Sequence, residues 1–258
     1  MHPFLLQIRY LPLIIFGFFI SVAFVVAIFV ARNESTGLGC NEDNIQDLSF
    51  WLLVAAMIGA RFFYVVLYPD IFALDPLEIF RFWDGGLVFY GGVITALIVG
   101  ILYIKRARMP LGKTTDTLSP ALAIGHFFGW LGCFFSGICY SYIHTLALGI
   151  TFADSESSGS KSLLLHLTSL YFALSQFIIF CFLLFMRKRR KFNGQLFWLY
   201  LMLSGVTRCI IEIFQGQGRE SAVGGFLSLA PVISIVAALT ALSMLVILGK
   251  RAGKIEMS

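Results

Sequence analysis

Charge is what this sequence has least of. Asp, Glu, Lys and Arg make up only 13% of its 258 residues, against 59% hydrophobic side chains. A soluble globular surface needs roughly twice that share of charge, so the chain is read as a membrane protein. Cysteine is also scarce and odd in number, with five in all. Cys133, Cys139, Cys181 and Cys209 fall within apolar stretches and Cys40 stands apart, so no disulfide framework or zinc-ligand spacing is visible and the thiols read as buried and inert. Internal repeats and long polar linkers are missing too. A single polytopic domain over residues 1–258 is expected, with a small outer loop near 143–162. A net charge of +5 and a pI of about 9.0 would suggest a nucleic-acid partner in a soluble domain, but in an apolar chain the basic residues act first as topology signals. No nucleic-acid partner is expected.

What is present is a series of apolar runs. A helix needs roughly 20 residues to cross about 30 Å of hydrocarbon. Seven such stretches run approximately over 11–31, 47–67, 87–104, 119–140, 163–186, 195–214 and 226–248. The first is too long for the apolar core of a signal peptide, and no cluster of positive charge precedes it, so it is expected to remain as a helix. Taken from the N-terminus, the second, fourth, sixth and eighth connections hold one, four, five and three Lys or Arg residues, and the other four hold one each. The positive-inside rule then places the N-terminus outside and the C-terminus in the cytoplasm. Lys105, Arg106, Arg108 and Lys113 mark one cytoplasmic connection, and Arg187 to Lys191 another. Both read as anchors at the membrane surface. The expected fold is thus an all-α integral membrane protein, a bundle of seven transmembrane helices.

Only two basic residues, Arg61 and Arg208, lie inside the spans. An arginine at mid-span costs about 2.5 to 3.5 kcal/mol on insertion scales, so two of them imply a bundle interior or wet cavity that uses them. Arg208 lies 13 residues into its span, hence about 20 Å from the cytoplasmic side. Glu212 is one turn further. Arg61, Tyr64, Tyr90, His166 and the polar end of the fourth span fall in the same outer half. An anionic ligand in the outer leaflet is the simplest user of such a cluster. Arg208 and Glu212 are also spaced to pair across one helical turn, which would make them a structural ion pair. The small-residue stripe Ala121, Gly125, Gly129 and Gly132 suits close helix packing. His126, in mid-span, reads as a hydrogen-bonded interior histidine before it reads as a catalyst.

Three segments carry a family resemblance: Gly59-Ala60-Arg61-Phe62-Phe63-Tyr64, Gly85-Gly86-Leu87-Val88-Phe89-Tyr90-Gly91-Gly92, and Gly125-His126-Phe127-Phe128-Gly129-Trp130-Leu131-Gly132-Cys133-Phe134. Together they resemble the bacterial prolipoprotein diacylglyceryl transferases. His166-Leu167-Thr168-Ser169-Leu170-Tyr171 resembles that family's His-Pro-Thr-Gln-Leu-Tyr, and Arg208 to Glu212 resembles its Arg-x-x-x-Glu helix. The resemblance implies a seven-helix enzyme of the bacterial inner membrane with its N-terminus outside. It would transfer the diacylglyceryl group of phosphatidylglycerol to the lipobox cysteine thiol of exported prolipoproteins, which present that cysteine in their signal peptides. No cofactor and no metal are implied. By the same resemblance Tyr90, Arg208 and Glu212 would be catalytic, and Arg61, Tyr64, Gly91, Gly92, Gly129, Gly132 and His166 would bind substrate. Arg208 would hold the lipid phosphate, because a guanidinium offers paired donors to phosphate oxygens and offsets charge on the leaving group.

The chain departs from the family pattern at defined positions. Tyr90 stands where a histidine is common and is credited with taking the thiol proton; a phenol, ionising near pH 10 or about that in water, is a poor base without a cation beside it. Trp130 stands where the Gly-Arg-x-Gly-Asn-Phe motif has a phosphate-binding arginine, and Cys133 replaces the motif's asparagine. Ile138 falls near the motif's glutamate, Ser141-Tyr142 replaces its closing Gly-Arg, and Leu167 replaces the proline after His166. Two readings follow: a divergent diacylglyceryl transferase, or a catalytically weakened paralogue that binds phospholipid or lipoprotein precursors or acts on a related lipid. A small transporter fits less well, because the polar groups cluster near one face instead of forming a path across.

Overall fold

The structure is a computed structural model that describes residues 11–72, 76–81, 86–137, 141–142, 149–151, 164–166, 168–214 and 229–256. Seven long helices dominate it: α1 (Leu11–Leu38), α2 (Glu42–Leu67), α4 (Phe89–Arg106), α5 (Leu111–Ser136), α6 (Thr168–Met186), α7 (Gln195–Phe214) and α8 (Leu229–Glu256). A single-turn helix, α3 (Pro69–Phe72), follows α2, and 3-10 turns occupy Pro76–Phe80 and Arg187–Arg189. Among the described residues six helices are long and apolar enough to cross a membrane, and α7 adds the shorter apolar stretch Gln195–Ile211. Their outward faces carry large apolar side chains, among them Phe18, Phe29, Phe62, Leu102, Ile178 and Leu239. With water as the solvent such exposure would be costly; with lipid tails it is the expected surface.

The bundle matches the seven apolar runs, but four helices start or end well outside them, α8 by running on to Glu256. α1 continues to Leu38 and α2 begins at Glu42, where Asn41 accepts hydrogen bonds from the backbone N–H groups of Asp43 (2.9 Å) and Asn44 (3.3 Å). Glu42 and Asp43 then sit in the first turn, where the helix dipole favours negative charge. Arg32 ties the two helices together, donating to Gln46 at 3.0 Å and pairing with Glu42 at 3.3 Å. The fifth helix begins at Leu111 and so includes Thr114, Asp116 and Thr117, all fully buried.

Two compact units divide the chain, Ala31–Thr114 and the combination of Met1–Val30 with Thr115–Ser258. In the first, α2 packs along α4 through small residues. A Cβ on Gly91 would lie 2.5 Å from Phe63 Cβ and 2.8 Å from the Gly59 carbonyl oxygen, so only glycine permits this approach. In the second, a core of Ala123, Ile179, Leu183, Leu196 and Tyr200 joins α5, α6 and α7. Between α5 and α6 three short strands, β1 (Ser141–Tyr142), β2 (Gly149–Thr151) and β3 (Leu164–His166), pair antiparallel in the order β1-β3-β2. Of the stretch 143–162, expected to form a small outer loop, only β2 lies within the described residues, and β1 and β3 flank it.

Candidate functional site

Three helices of the larger unit bring side chains together in two layers. In one, the Trp130 indole of α5 stacks on the Phe172 ring of α6, with centroids 4.4 Å apart and planes 16° from parallel. The Arg208 guanidinium of α7 lies over the same Phe172 ring, its Cζ 5.7 Å from the centroid. That distance is within the roughly 6 Å over which an aromatic face attracts a cation. Among the described residues no carboxylate pairs with Arg208. The Glu212 side chain, proposed as its partner, lies outside the described residues.

One helical turn away, the second layer is polar. Tyr200 Oη lies 2.6 Å from His126 Nδ1, and Gln176 Nε2 donates to Ser204 Oγ at 3.5 Å. His126 and Trp130, Gln176 and Phe172, and Ser204 and Arg208 are each four residues apart, so every helix presents both layers from one face. Tyr200 and Gln176 are buried, whereas His126 remains exposed although hydrogen-bonded. Phe172, Gln176, Tyr200 and Ser204 were not apparent as site residues from the sequence. The spacing of Tyr200, Ser204 and Arg208 at successive turns was the available signal.

A buried carboxylate holds the start of α7. Asp116 Oδ2 accepts from the Gly194 N–H at 2.8 Å, and Oδ1 from those of Leu196 (2.9 Å) and Phe197 (3.2 Å). Arg190 Nη1 approaches the same carboxylate at 3.8 Å. This bond set fixes the start of α7 against α5, and with it the height of Arg208 relative to Trp130.

Arg61, in the other unit, is buried and committed to backbone. Its Nε donates to the Ile79 carbonyl at 3.0 Å, Nη1 to that of Gly86 at 3.2 Å and Nη2 to that of Glu78. Its Cζ also lies 5.7 Å from the Tyr64 ring centroid and 5.5 Å from that of Phe72. The arginine and Tyr64 therefore shape the connection leading into α4. Gly86, at φ 69°, sits so close that a Cβ there would meet Tyr64 Cε1 at 2.6 Å and Arg61 Nη1 at 2.8 Å. Val88 N–H donates to the Ala60 carbonyl at 3.0 Å, two residues before Tyr90 in the first turn of α4. Gly91 and Gly92 face α2, and Gly132 faces α1, where a Cβ would lie 2.8 Å from Phe19 Cβ. Gly129 is looser, its nearest such neighbour being Ile20 Cδ1 at 3.9 Å. His166 lies in β3, opposite Ser141 and Gly149, with its side chain outside the described residues.

Fold and site together define a polytopic helical membrane protein with an arginine held on an aromatic layer inside its bundle. Residues 3–247 match the family described as prolipoprotein diacylglyceryl transferase, and the chain belongs to that family. Among its relatives, phosphatidylglycerol–prolipoprotein diacylglyceryl transferase of Clostridium tetani is 29% identical, covering 90% of this chain and 94% of the relative. The protein of the same name from Finegoldia magna is 33% identical over 84% of this chain and 82% of its own length. That from Klebsiella pneumoniae is 30% identical over 90% and 87%.

Proposed function

We propose that this protein transfers the diacylglyceryl group of phosphatidylglycerol to the lipobox cysteine thiol of exported prolipoproteins, in the bacterial inner membrane with its N-terminus outside. The observation that carries the reading is Arg208, an arginine kept inside an apolar helix by a family member and seated among α5, α6 and α7. In the reaction the cysteine sulfur attacks the glycerol carbon that bears the phosphate. A C–S bond forms, the C–O bond between the diacylglyceryl carbon and the phosphate breaks, and glycerol phosphate leaves with the bonding pair while the thiol proton passes to that phosphate or to water.

Arg208 holds the phosphate from binding onward and offsets the charge that grows on the leaving group. Glu212, one turn on, orients the guanidinium. Tyr90, at the start of α4, hydrogen-bonds the thiol or the phosphate. Arg61 acts at one remove: by holding the carbonyls of Glu78, Ile79 and Gly86 it fixes the chain that leads into Tyr90. His166 borders the lipid, whereas Gly129 and Gly132, expected to bind substrate, instead let α1 pack against α5.

A second reading, a weakened paralogue that binds phospholipid or prolipoprotein, draws on Trp130, which supplies no charge where a second cation would be expected. The two are separated by replacing the resident transferase with this chain in a depletion strain and measuring diacylglyceryl on a reporter lipoprotein by mass. Lipidation supports the transferase; an inserted protein that leaves the reporter unmodified supports the paralogue.

A further inference from the structure

Trp130 is not merely an arginine lost. Its indole lies nearly parallel to Phe172 at 4.4 Å, and the buried Phe172 ring is the surface over which the Arg208 guanidinium sits. The two aromatics come from α5 and α6 and the cation from α7, so the contact joins three helices at one depth. The polar layer one turn away, with Tyr200 on His126 and Gln176 on Ser204, sets the same three helices in register. A guanidinium in an apolar span needs something to hold its plane. An electron-rich face does this and leaves the charge available to an anion.

We infer that Trp130 is a positioning residue: stacked on Phe172, it completes an aromatic platform that presets Arg208 for the phosphate of phosphatidylglycerol, in place of a second cation. The inference rests on the transferase reading above and yields an unexpected consequence. Trp130→Arg, which restores the residue of the family motif, removes half of the platform and sets a like charge near Arg208. It lowers transfer efficiency instead of raising it.

The test uses the full-length protein in mixed micelles, with phosphatidylglycerol and a lipobox peptide, for the parent and for Trp130→Arg, Trp130→Leu, Trp130→Phe and Phe172→Leu. Retention of phosphatidylglycerol by each purified variant is measured alongside. The platform requires Trp130→Leu and Phe172→Leu to raise KM for the lipid about tenfold with a smaller change in kcat, and Trp130→Phe to recover most of the loss. A purely structural role would instead reduce the amount of folded protein and leave KM unchanged. An unchanged KM in folded Trp130→Leu or Phe172→Leu, or kcat/KM above the parent in Trp130→Arg, overturns the proposal. If the parent transfers nothing, the transferase reading fails, and lipid retention decides the platform alone. Weaker retention in Trp130→Leu and Phe172→Leu than in the parent upholds it, and equal or absent retention in all overturns it.

Discussion

Asp116 of α5 accepts a hydrogen bond from the backbone N–H of Leu196 in α7 at 2.9 Å, across 80 positions of sequence. With the Gly194 and Phe197 bonds to the same carboxylate, it caps a helix to which it does not belong. Asp116→Ala leaves these three donors without their acceptor in a buried place and Arg190 without its ion-pair partner. The expected loss of stability is about 3 kcal/mol or more, with a smaller loss for Asp116→Asn, which keeps one acceptor oxygen. Unfolding of the purified protein in micelles checks it; equal stability of the parent and the alanine variant would remove the cap from the account.

Tyr200 and His126 make a separate prediction. Their 2.6 Å contact joins α7 to α5 one turn from the platform. Tyr200→Phe keeps the ring and removes the hydroxyl, at an expected cost of about 1 kcal/mol. Unfolding measured beside Asp116→Ala should show the tyrosine change to be the milder of the two.

For Arg61 the geometry predicts that charge alone will not suffice. Arg61→Lys retains a cation but has no planar fork to reach three carbonyls on the Glu78–Gly86 connection. Transfer should fall roughly tenfold or more in Arg61→Lys, from the loss of one or more of these bonds. Limited proteolysis should show faster cleavage ahead of α4. Wild-type activity and cleavage in Arg61→Lys would mean that the fork is dispensable.

The close approach of α2 and α4 gives a packing test. Gly91→Leu has no room beside Phe63 and the Gly59 carbonyl, and is expected to destabilise by about 1 to 3 kcal/mol through forced separation of the helices. Gly129→Ala, with its nearest α1 neighbour Ile20 at 3.9 Å from the added carbon, should be tolerated far better. Expression and unfolding of the two variants, side by side, distinguish them.

The helical bundle was legible because lipid imposes apolar runs of helical length, and the same runs appear as α1, α2, α4 and α5 to α8. Helix ends were less legible. Hydropathy reports immersion, whereas α2 starts where Asn41 can cap it and α5 starts early enough to carry Asp116 inward. Arg208 stood out as a charge in an apolar run. What it rests on did not, because a stacking pair such as Trp130 and Phe172, 42 positions apart, leaves no mark in a sequence full of aromatic residues. The carbonyl partners of Arg61 were hidden for a related reason: backbone acceptors carry no residue identity.

The claim at the centre is that Arg208 holds the lipid phosphate during transfer. Its most direct test is a mass measurement of a lipobox peptide after incubation with phosphatidylglycerol and purified protein, comparing the parent with Arg208→Ala at equal folded amounts. The account predicts a diacylglyceryl adduct with the parent and none with the variant. Equal adduct from both proteins would contradict it.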